Sequence, residues 1–420
     1  MRALLAVMLL TAGVAQAATL KELLDAADKQ NVDRRVSAEQ RDRAAAEYRQ
    51  SVASLFPALS AQGSWTNNQY PASFPNPMNP SQTLTIIAEN QLDAQFRFDL
   101  PLIDTTRWFR AMASSSLLDS AELREASTRD LVKRQVVSAW YSYAALLAVR
   151  ESALRSAKVA DAQAELQEIR AKAGAATELE MLRARAEAQG RRQYIADTEA
   201  NIANVRRSLR TLTGVEPGDV ATLPEDDIRA AEPLEQLEQN VDQLPQVRAA
   251  DRDSEAQGRL ATAQRLAVLP TVSAQFTERL TNAAGFQGRN ALYNAGVVIS
   301  WRLDAPTFLG MSAATANENI AVLGTERARL VARDQIHGDW QRLNAALHKL
   351  EAAKAQQQAN ERAAQVSRDR YAAGAATQLD VITAERDLLS AEVNQISART
   401  ELAAARLSLR ISAGQPLQVE

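Results

Sequence analysis

Few residues of this chain are of a type and spacing to do covalent or metal chemistry. Its 420 residues include no cysteine, which removes disulfides, thiol nucleophiles and cysteine metal sites. The two histidines, His337 and His348, are eleven residues apart in one helical stretch. That spacing separates them by about 16 Å along the axis, too far to share a metal. Gly174 and Gly374 fit no phosphate-loop or dinucleotide pattern, and no serine has a nameable base. The expectation is a protein that is not an enzyme, with no catalytic group, cofactor or metal site. Two carboxylates remain, Glu180 and Asp380, each six residues past one of those glycines. In the first turn of a helix such an acid meets the positive end of the helix dipole.

The elements that position these carboxylates occur twice. Gly174-Ala175-Ala176-Thr177 with Leu179-Glu180 recurs as Gly374-Ala375-Ala376-Thr377 with Leu379-Asp380, an offset of 200 residues. The same offset superposes Ser208-Leu209-Arg210 and Gly214 on Ser408-Leu409-Arg410 and Gly414. Further upstream, Leu55-Phe56-Pro57-Ala58-Leu59-Ser60 matches Val268-Leu269-Pro270-Thr271-Val272-Ser273 at an offset of 213, so the first half carries 13 extra residues. A duplicated unit of this size means two halves built alike. The expected organisation is a signal peptide over 1–17, a first repeat over 18–213, a connector over 214–233, a second repeat over 234–413 and a tail over 414–420.

The signal peptide is read from Arg2, the apolar run Ala3–Val14 and the small-x-small site Ala15-Gln16-Ala17. The run falls short of the roughly 20 apolar residues a spanning helix needs. Without cysteine the mature N-terminus carries no lipid anchor. The net charge of −3 argues against a nucleic-acid partner, which favours a basic stripe.

Two periodicities divide the chain. Residues 105–172 contain no proline and no glycine, 306–373 is the counterpart in the second half, and each stretch predicts one very long helix that stops at the Gly-Ala-Ala-Thr turn. The chain returns as a second helix over 177–213 or 377–413, making two long helical hairpins. The last helix carries a heptad seam of Leu379, Ile382, Arg386, Leu389, Val393, Ile396, Thr400, Ala403 and Leu407, which predicts coiled-coil contact. Its first-half counterpart, from Leu179 and Leu182 to Ala186, Gln189 and Gln193, is poorer and needs partners on more than one side.

Between the helices the period drops to two. Leu59, Ala61, Gly63 and Trp65 alternate with polar residues, as do Leu92, Ala94, Phe96, Phe98 and Leu100. In the second half Val272, Ala274 and Phe276, then Tyr293 through Leu303, repeat the pattern. Such alternation predicts strands with one apolar and one polar face. It suits a soluble sheet on a helix or a membrane barrel. Four strands cannot close a barrel, and open edges are not tolerated in lipid, so the membrane reading requires chains to pool strands. Pro71, Pro75, Pro77 and Pro80 predict a loop rather than a strand between the first two. The acidic run Glu225-Asp226-Asp227 reads as a solvated loop.

Across nearly the whole mature chain these motifs resemble the TolC-like outer-membrane efflux proteins. The resemblance rests on Leu20-Lys21-Glu22-Leu23-Leu24-Asp25-Ala26-Ala27, the two segments above that contain Pro57 and Pro270, Leu102-Ile103-Asp104, and most closely on Tyr371-Ala372-Ala373-Gly374-Ala375-Ala376-Thr377-Gln378-Leu379-Asp380-Val381.

The resemblance implies a fold that is mainly α with a β-barrel part. Three chains would pool four strands each into one twelve-stranded transmembrane barrel, continued by an α-barrel of coiled helical hairpins. It implies an outer-membrane channel of a tripartite efflux or type I secretion system. A homotrimer in outer-membrane lipid would work with a periplasmic adaptor and an inner-membrane pump, and would conduct passively. Asp380 and, more weakly, Glu180 would form the periplasmic constriction. Gly174, Ala175, Thr177, Leu179, Gly374, Ala375, Thr377 and Leu379 would be the adaptor-docking tips. Thr383 and Ala376 depart from the pattern, where some members carry a second carboxylate and a locking basic residue. The alternative is a soluble periplasmic coiled-coil scaffold or adaptor.

Overall fold

The structure is a computed structural model that describes residues 19–218 and 223–417. The expected signal peptide lies outside the described residues. Helices α1 (Leu20–Gln30) and α2 (Val32–Ala53) lead to strands β1 (Ala58–Asn67), β2 (Ala72–Asn76), β3 (Asn79–Ile87) and β4 (Asn90–Ile103). Helix α3 (Thr105–Lys172) and its return α4 (Glu178–Thr213) form the first hairpin. After α5 (Leu234–Glu238) come α6 (Pro245–Arg265), β5 (Thr271–Thr281), β6 (Ala291–Ser300), α7 (Ala305–Ala372) and α8 (Gln378–Ser412). Both long helices, α3 and α7, run for 68 residues. No described helix is long and apolar enough to cross a membrane.

The chain separates into two compact units, each drawing on both repeats. One comprises 1–38, 124–247 and 329–420, and the other 39–123 and 248–328. The first unit holds the hairpin tips and two apolar cores. In one core α1 residues Leu20, Leu23 and Ala27 pack on Val136, Tyr143 and Leu147 of α3 and Ile202 and Leu209 of α4. In the other, Leu237, Val241, Leu244 and Val247 pack on Ile336, Leu343 and Leu350 of α7 and on Leu402 and Leu409 of α8. Seven-residue steps such as Ile336, Leu343 and Leu350 are those of a helix that keeps one stripe on its neighbours.

The expected α8 seam is only half of what the helix buries. Leu389, Ile396, Thr400 and Leu407 are buried, whereas Leu379 is 51% exposed. A second stripe displaced by two residues, Ala391, Ala398, Leu402 and Leu409, is buried as well. Leu407 belongs to the α1–α3–α4 core and Leu402 to the α7 core, so α8 packs on both sides. Arg386 leaves the seam to ion-pair with Glu187 of α4, and buried Thr400 donates to the Ile396 carbonyl at 3.1 Å.

The second unit holds one antiparallel sheet in the order β1-β4-β5-β6. Its register pairs Leu59 with Phe98, Phe98 with Phe276, Phe276 with Ala295 and Ala274 with Val297, which collects the apolar side chains on one face. The opposite face carries Ser60, Arg97, Thr277 and Asn294. Glu278 is the exception, standing on the apolar face between Phe96 and Tyr293. Strand β6 ends at Ser300, short of the expected Leu303, where the Trp301 indole turns to donate to the Val268 carbonyl at 2.8 Å.

The proline-rich stretch corrects the expected loop. β2 and β3 form a separate two-stranded ribbon with register shifts at Ala72/Ser73 and Pro75/Asn76. Each strand of a two-stranded ribbon has a free edge, where a proline's missing N–H costs nothing.

Candidate functional site: the two helical tips

Both tips are built by the same local chemistry. Gly174 and Gly374 take φ of 70° and 73°, a left-handed conformation that costs residues with a Cβ about 1–2 kcal/mol. Ala175 N–H donates to the Arg170 carbonyl at 2.7 Å and Gly174 N–H to Ala171 at 3.0 Å, with equivalent bonds from Ala375 to Arg370 and Gly374 to Tyr371. These bonds satisfy the last carbonyls of α3 and α7. Thr177 and Thr377 then cap α4 and α8. Each threonine hydroxyl accepts from the backbone of Glu180 or Asp380, and each carboxylate accepts from the threonine N–H, at 2.7 and 2.8 Å respectively. The carboxylates therefore complete capping boxes.

The structure leaves all eight docking candidates, Gly174, Ala175, Thr177, Leu179, Gly374, Ala375, Thr377 and Leu379, exposed. Asp380 is exposed and Glu180 partly so. The backbone N–H of Thr377, then its hydroxyl, hold the Asp380 carboxyl below its ordinary range, and Thr177 does the same to Glu180. Both are charged at neutral pH. Only one Asp380 oxygen, Oδ2, is engaged by the cap.

Around the turns the tips are tied to each other by residues that the sequence reading did not single out. Tyr371 Oη accepts from Gln167 Nε2 at 2.6 Å and from the Arg170 guanidinium at 2.9 Å, joining α7 to α3. Gln167 is fully buried. Glu187 of α4 forms an ion pair with Arg191 at 2.8 Å and accepts from Arg386 of α8. Gln378, the first residue of α8, is 3% exposed, and both of its amide atoms lack a protein partner. It lines a small cavity of about 30 Å³ with Gln163, Glu187, Arg191 and Glu385, room for about one water. The nearest sequence signal was Tyr371 itself, which lies in the tip motif with no partner legible beside it.

The acidic connector also differs from expectation. Asp226 pairs with Lys354 of α7 at 2.5 Å and Arg399 of α8 at 2.9 Å, and Asp227 with Arg406 of α8 at 3.0 Å. Arg399 further donates to the Pro224 carbonyl at 2.6 Å, and Arg406 to the carbonyls of Asp227 and Arg229. The run is a strap fastened on α7 and α8, not a solvated loop. Side-chain bonds from Arg229, aided by Arg406 and opposed by partial burial, bring the Asp227 carboxyl down to about 2. The seven-residue step from Arg399 to Arg406 puts both on one face of α8 and was the available signal.

Among the described residues no group of three or more His, Cys, Asp and Glu side chains is placed to hold a metal ion. His337 and His348 both lie on α7, exposed.

Comparison with known proteins gives one consistent result. The family described as outer membrane efflux protein matches residues 23–215 and 235–415. The probable efflux pump outer membrane protein TtgC of Pseudomonas putida is 28% identical over 210 residues, covering 48% of this chain. The match spans 41% of that relative's length. Among solved structures, the CmeC outer membrane channel of Campylobacter jejuni superposes with a TM-score of 0.80 at 18% identity, covering 94% of this chain and 85% of that one. The outer membrane protein VceC of Vibrio cholerae gives 0.77 at 19% identity, covering 94% and 96%.

Proposed function

This chain belongs to the outer membrane efflux protein family, and we propose that it is the outer-membrane channel of a tripartite efflux or type I secretion system. It conducts substrates passively from an inner-membrane pump and periplasmic adaptor to the outside. The observation that carries this reading is the four-stranded sheet, apolar on one face and polar on the other, with β1 and β6 as unpaired edges. In lipid those edges must be closed, and in this reading three copies close them as twelve strands, with the apolar face outward. Exposed Trp65, Leu92, Tyr293, Val297 and Ile299 fit a lipid-facing surface and disfavour a water-soluble scaffold or adaptor.

Export by the signal peptide over 1–17 delivers the chain to the outer membrane, and the first and second repeats each supply one strand hairpin and one helical hairpin. The exposed tips are the adaptor-docking surfaces. Three copies of Asp380, charged and with one oxygen free of its cap, place an acidic ring at the periplasmic constriction, with Glu180 contributing more weakly. Such a ring favours cations. The test is planar-bilayer conductance of purified protein, wild type against Asp380→Asn. Cation-favouring channels with reduced selectivity in the variant support conduit and ring together. Unchanged selectivity discards the ring, and water-soluble protein that forms no channels overturns the conduit.

A further inference from the structure

One residue at the start of α8 is buried among neighbours that face solvent. Thr377, Leu379 and Asp380 are exposed, yet Gln378 is 3% exposed. Its amide nitrogen and oxygen are both buried, and neither has a protein partner. The Thr377–Asp380 capping box does not involve this side chain.

The amide lines the cavity of about 30 Å³ between α3, α4 and α8. Part of the lining is apolar, from the buried residues Ala160, Ala184 and Val381. The polar part comes from Gln163 of α3, Glu187 and Arg191 of α4 and Glu385 of α8. Arg191 is itself 9% exposed, and its Nη2, in the ion pair with Glu187 at 2.8 Å, makes no hydrogen bond. Two donors and one acceptor on residues around one small space are therefore without a hydrogen bond, a costly arrangement in a protein interior.

The charges around the space select what fits there. Glu187 is also engaged by Arg386, and Glu385 accepts from Arg368 at 2.9 Å. A cation in the cavity would face Arg191, and an anion would face two carboxylates. A neutral molecule that both donates and accepts meets no like charge. The volume has room for about one water and for nothing larger.

We infer that this cavity is a water-binding site that links the first turn of α8 to the first hairpin. The water accepts from Arg191 and from the Gln378 amide and donates to a lining carboxylate, about the three bonds usual for a buried water. Two of the three unpartnered atoms gain a bond by it. Asp380 is two residues on, about 200° around the helix, so the contact that holds Gln378 inward turns Asp380 to solvent. The first repeat has no equivalent, because the positions matching Gln378, Gln163 and Arg191 hold Glu178, Ala363 and Ala391. The link belongs to one tip alone.

The test uses the purified full-length protein in detergent, in crystals and in thermal unfolding. A crystal structure that resolves waters is expected to show one peak within about 3.2 Å of Arg191 Nη2 and the Gln378 amide. Gln378→Met, close in length but unable to hydrogen-bond, is expected to lose that peak and to melt about 1–3 °C lower. A cavity that holds no water gives the opposite sign, since methionine would then replace two unpartnered polar atoms beside apolar walls. No peak in the wild type overturns the site, and this arm decides alone if Gln378→Met does not fold. A wild-type peak with an unchanged or raised melting temperature in the variant overturns the link. A peak that bromide replaces, with wild-type stability higher in chloride than in gluconate at equal ionic strength, makes the occupant an anion and overturns the water.

Discussion

Arg170 and Arg370 hold the same place in the two repeats, yet they reach different partners. Arg170 donates across to Tyr371 of the other hairpin, and Arg370 donates to the Ala375 carbonyl within its own turn at 3.1 Å. The cause is one substitution between the copies, since the position that holds Tyr371 in the second is Ala171 in the first. The return helices differ in the same way. Exposed Glu178 opens α4, while buried Gln378 opens α8. Near each tip one ion pair closes the hairpin, but with reversed sign. Glu168 on α3 meets Arg185 on α4 at 2.9 Å, whereas Arg368 on α7 meets Glu385 on α8 at 2.9 Å. Pairing α3 with α8, or α7 with α4, would set like charges together. The duplicated turn makes the tips look interchangeable; the residues around it make them distinct.

The largest effect that separates the tips is expected from aspartate at the glycines. No atom crowds either turn, so Gly374→Asp and Gly174→Asp should both fold and assemble. Gly374→Asp should abolish export, read as loss of substrate resistance in cells, and Gly174→Asp should reduce it less, because α8 packs on both cores and α4 on one. Equal losses would break the distinction, and intact trimers with full resistance would remove the tips from docking.

Packing gives the next largest difference. Leu402→Ala, at 2% exposure, should cost about 2–5 kcal/mol in denaturant unfolding, and Leu182→Ala, half exposed on α4, about 0.5 kcal/mol or less. A comparable loss at Leu182 would mean that the α4 face is covered by another copy.

The acidic run is fastened on the second hairpin and should make its stability acid-sensitive. Asp227 has its carboxyl lowered from 3.8 to about 2, so its contribution is full above pH 4 and disappears as pH falls through the lower value. That contribution is on the order of 2 kcal/mol or less, since the site is partly solvated. Thermal unfolding should show Asp227→Asn destabilised at pH 6, with the difference from wild type shrinking as pH falls through about 2. A difference that persists in acid would assign the loss to packing.

The smallest effect concerns the reversed ion pairs, which are partly exposed and worth little singly. Glu168→Arg should lower the melting temperature slightly, and Glu168→Arg/Arg185→Glu should restore it. Failure of the double swap to restore would mean that the pairs do not couple.

The tips were the most legible part of the site because a Gly turn followed by a Thr cap is set by neighbours in sequence. The eight tip residues and both carboxylates could be placed without coordinates, though not the use of Asp380 and Glu180 as capping acids. Tyr371 and the strap were not legible, since Gln167 is 204 residues from Tyr371 and Arg399 is 175 from Pro224. The β2–β3 ribbon escaped because proline is read as a strand breaker, a rule that lapses at free edges.

By itself the sequence determined the duplication, from motifs that recur at a fixed offset, and the helix extents, the turn chemistry and the alternation of the strands, which depend on residues within a few positions of one another. Tertiary structure alone decided that α8 carries two buried stripes, that the acidic run is clasped by arginines, and that two connections from different repeats meet through Phe74, Leu84 and Phe286. These are contacts between segments far apart in the chain, and a side chain's partner there is selected by which surfaces the fold brings within a few ångströms.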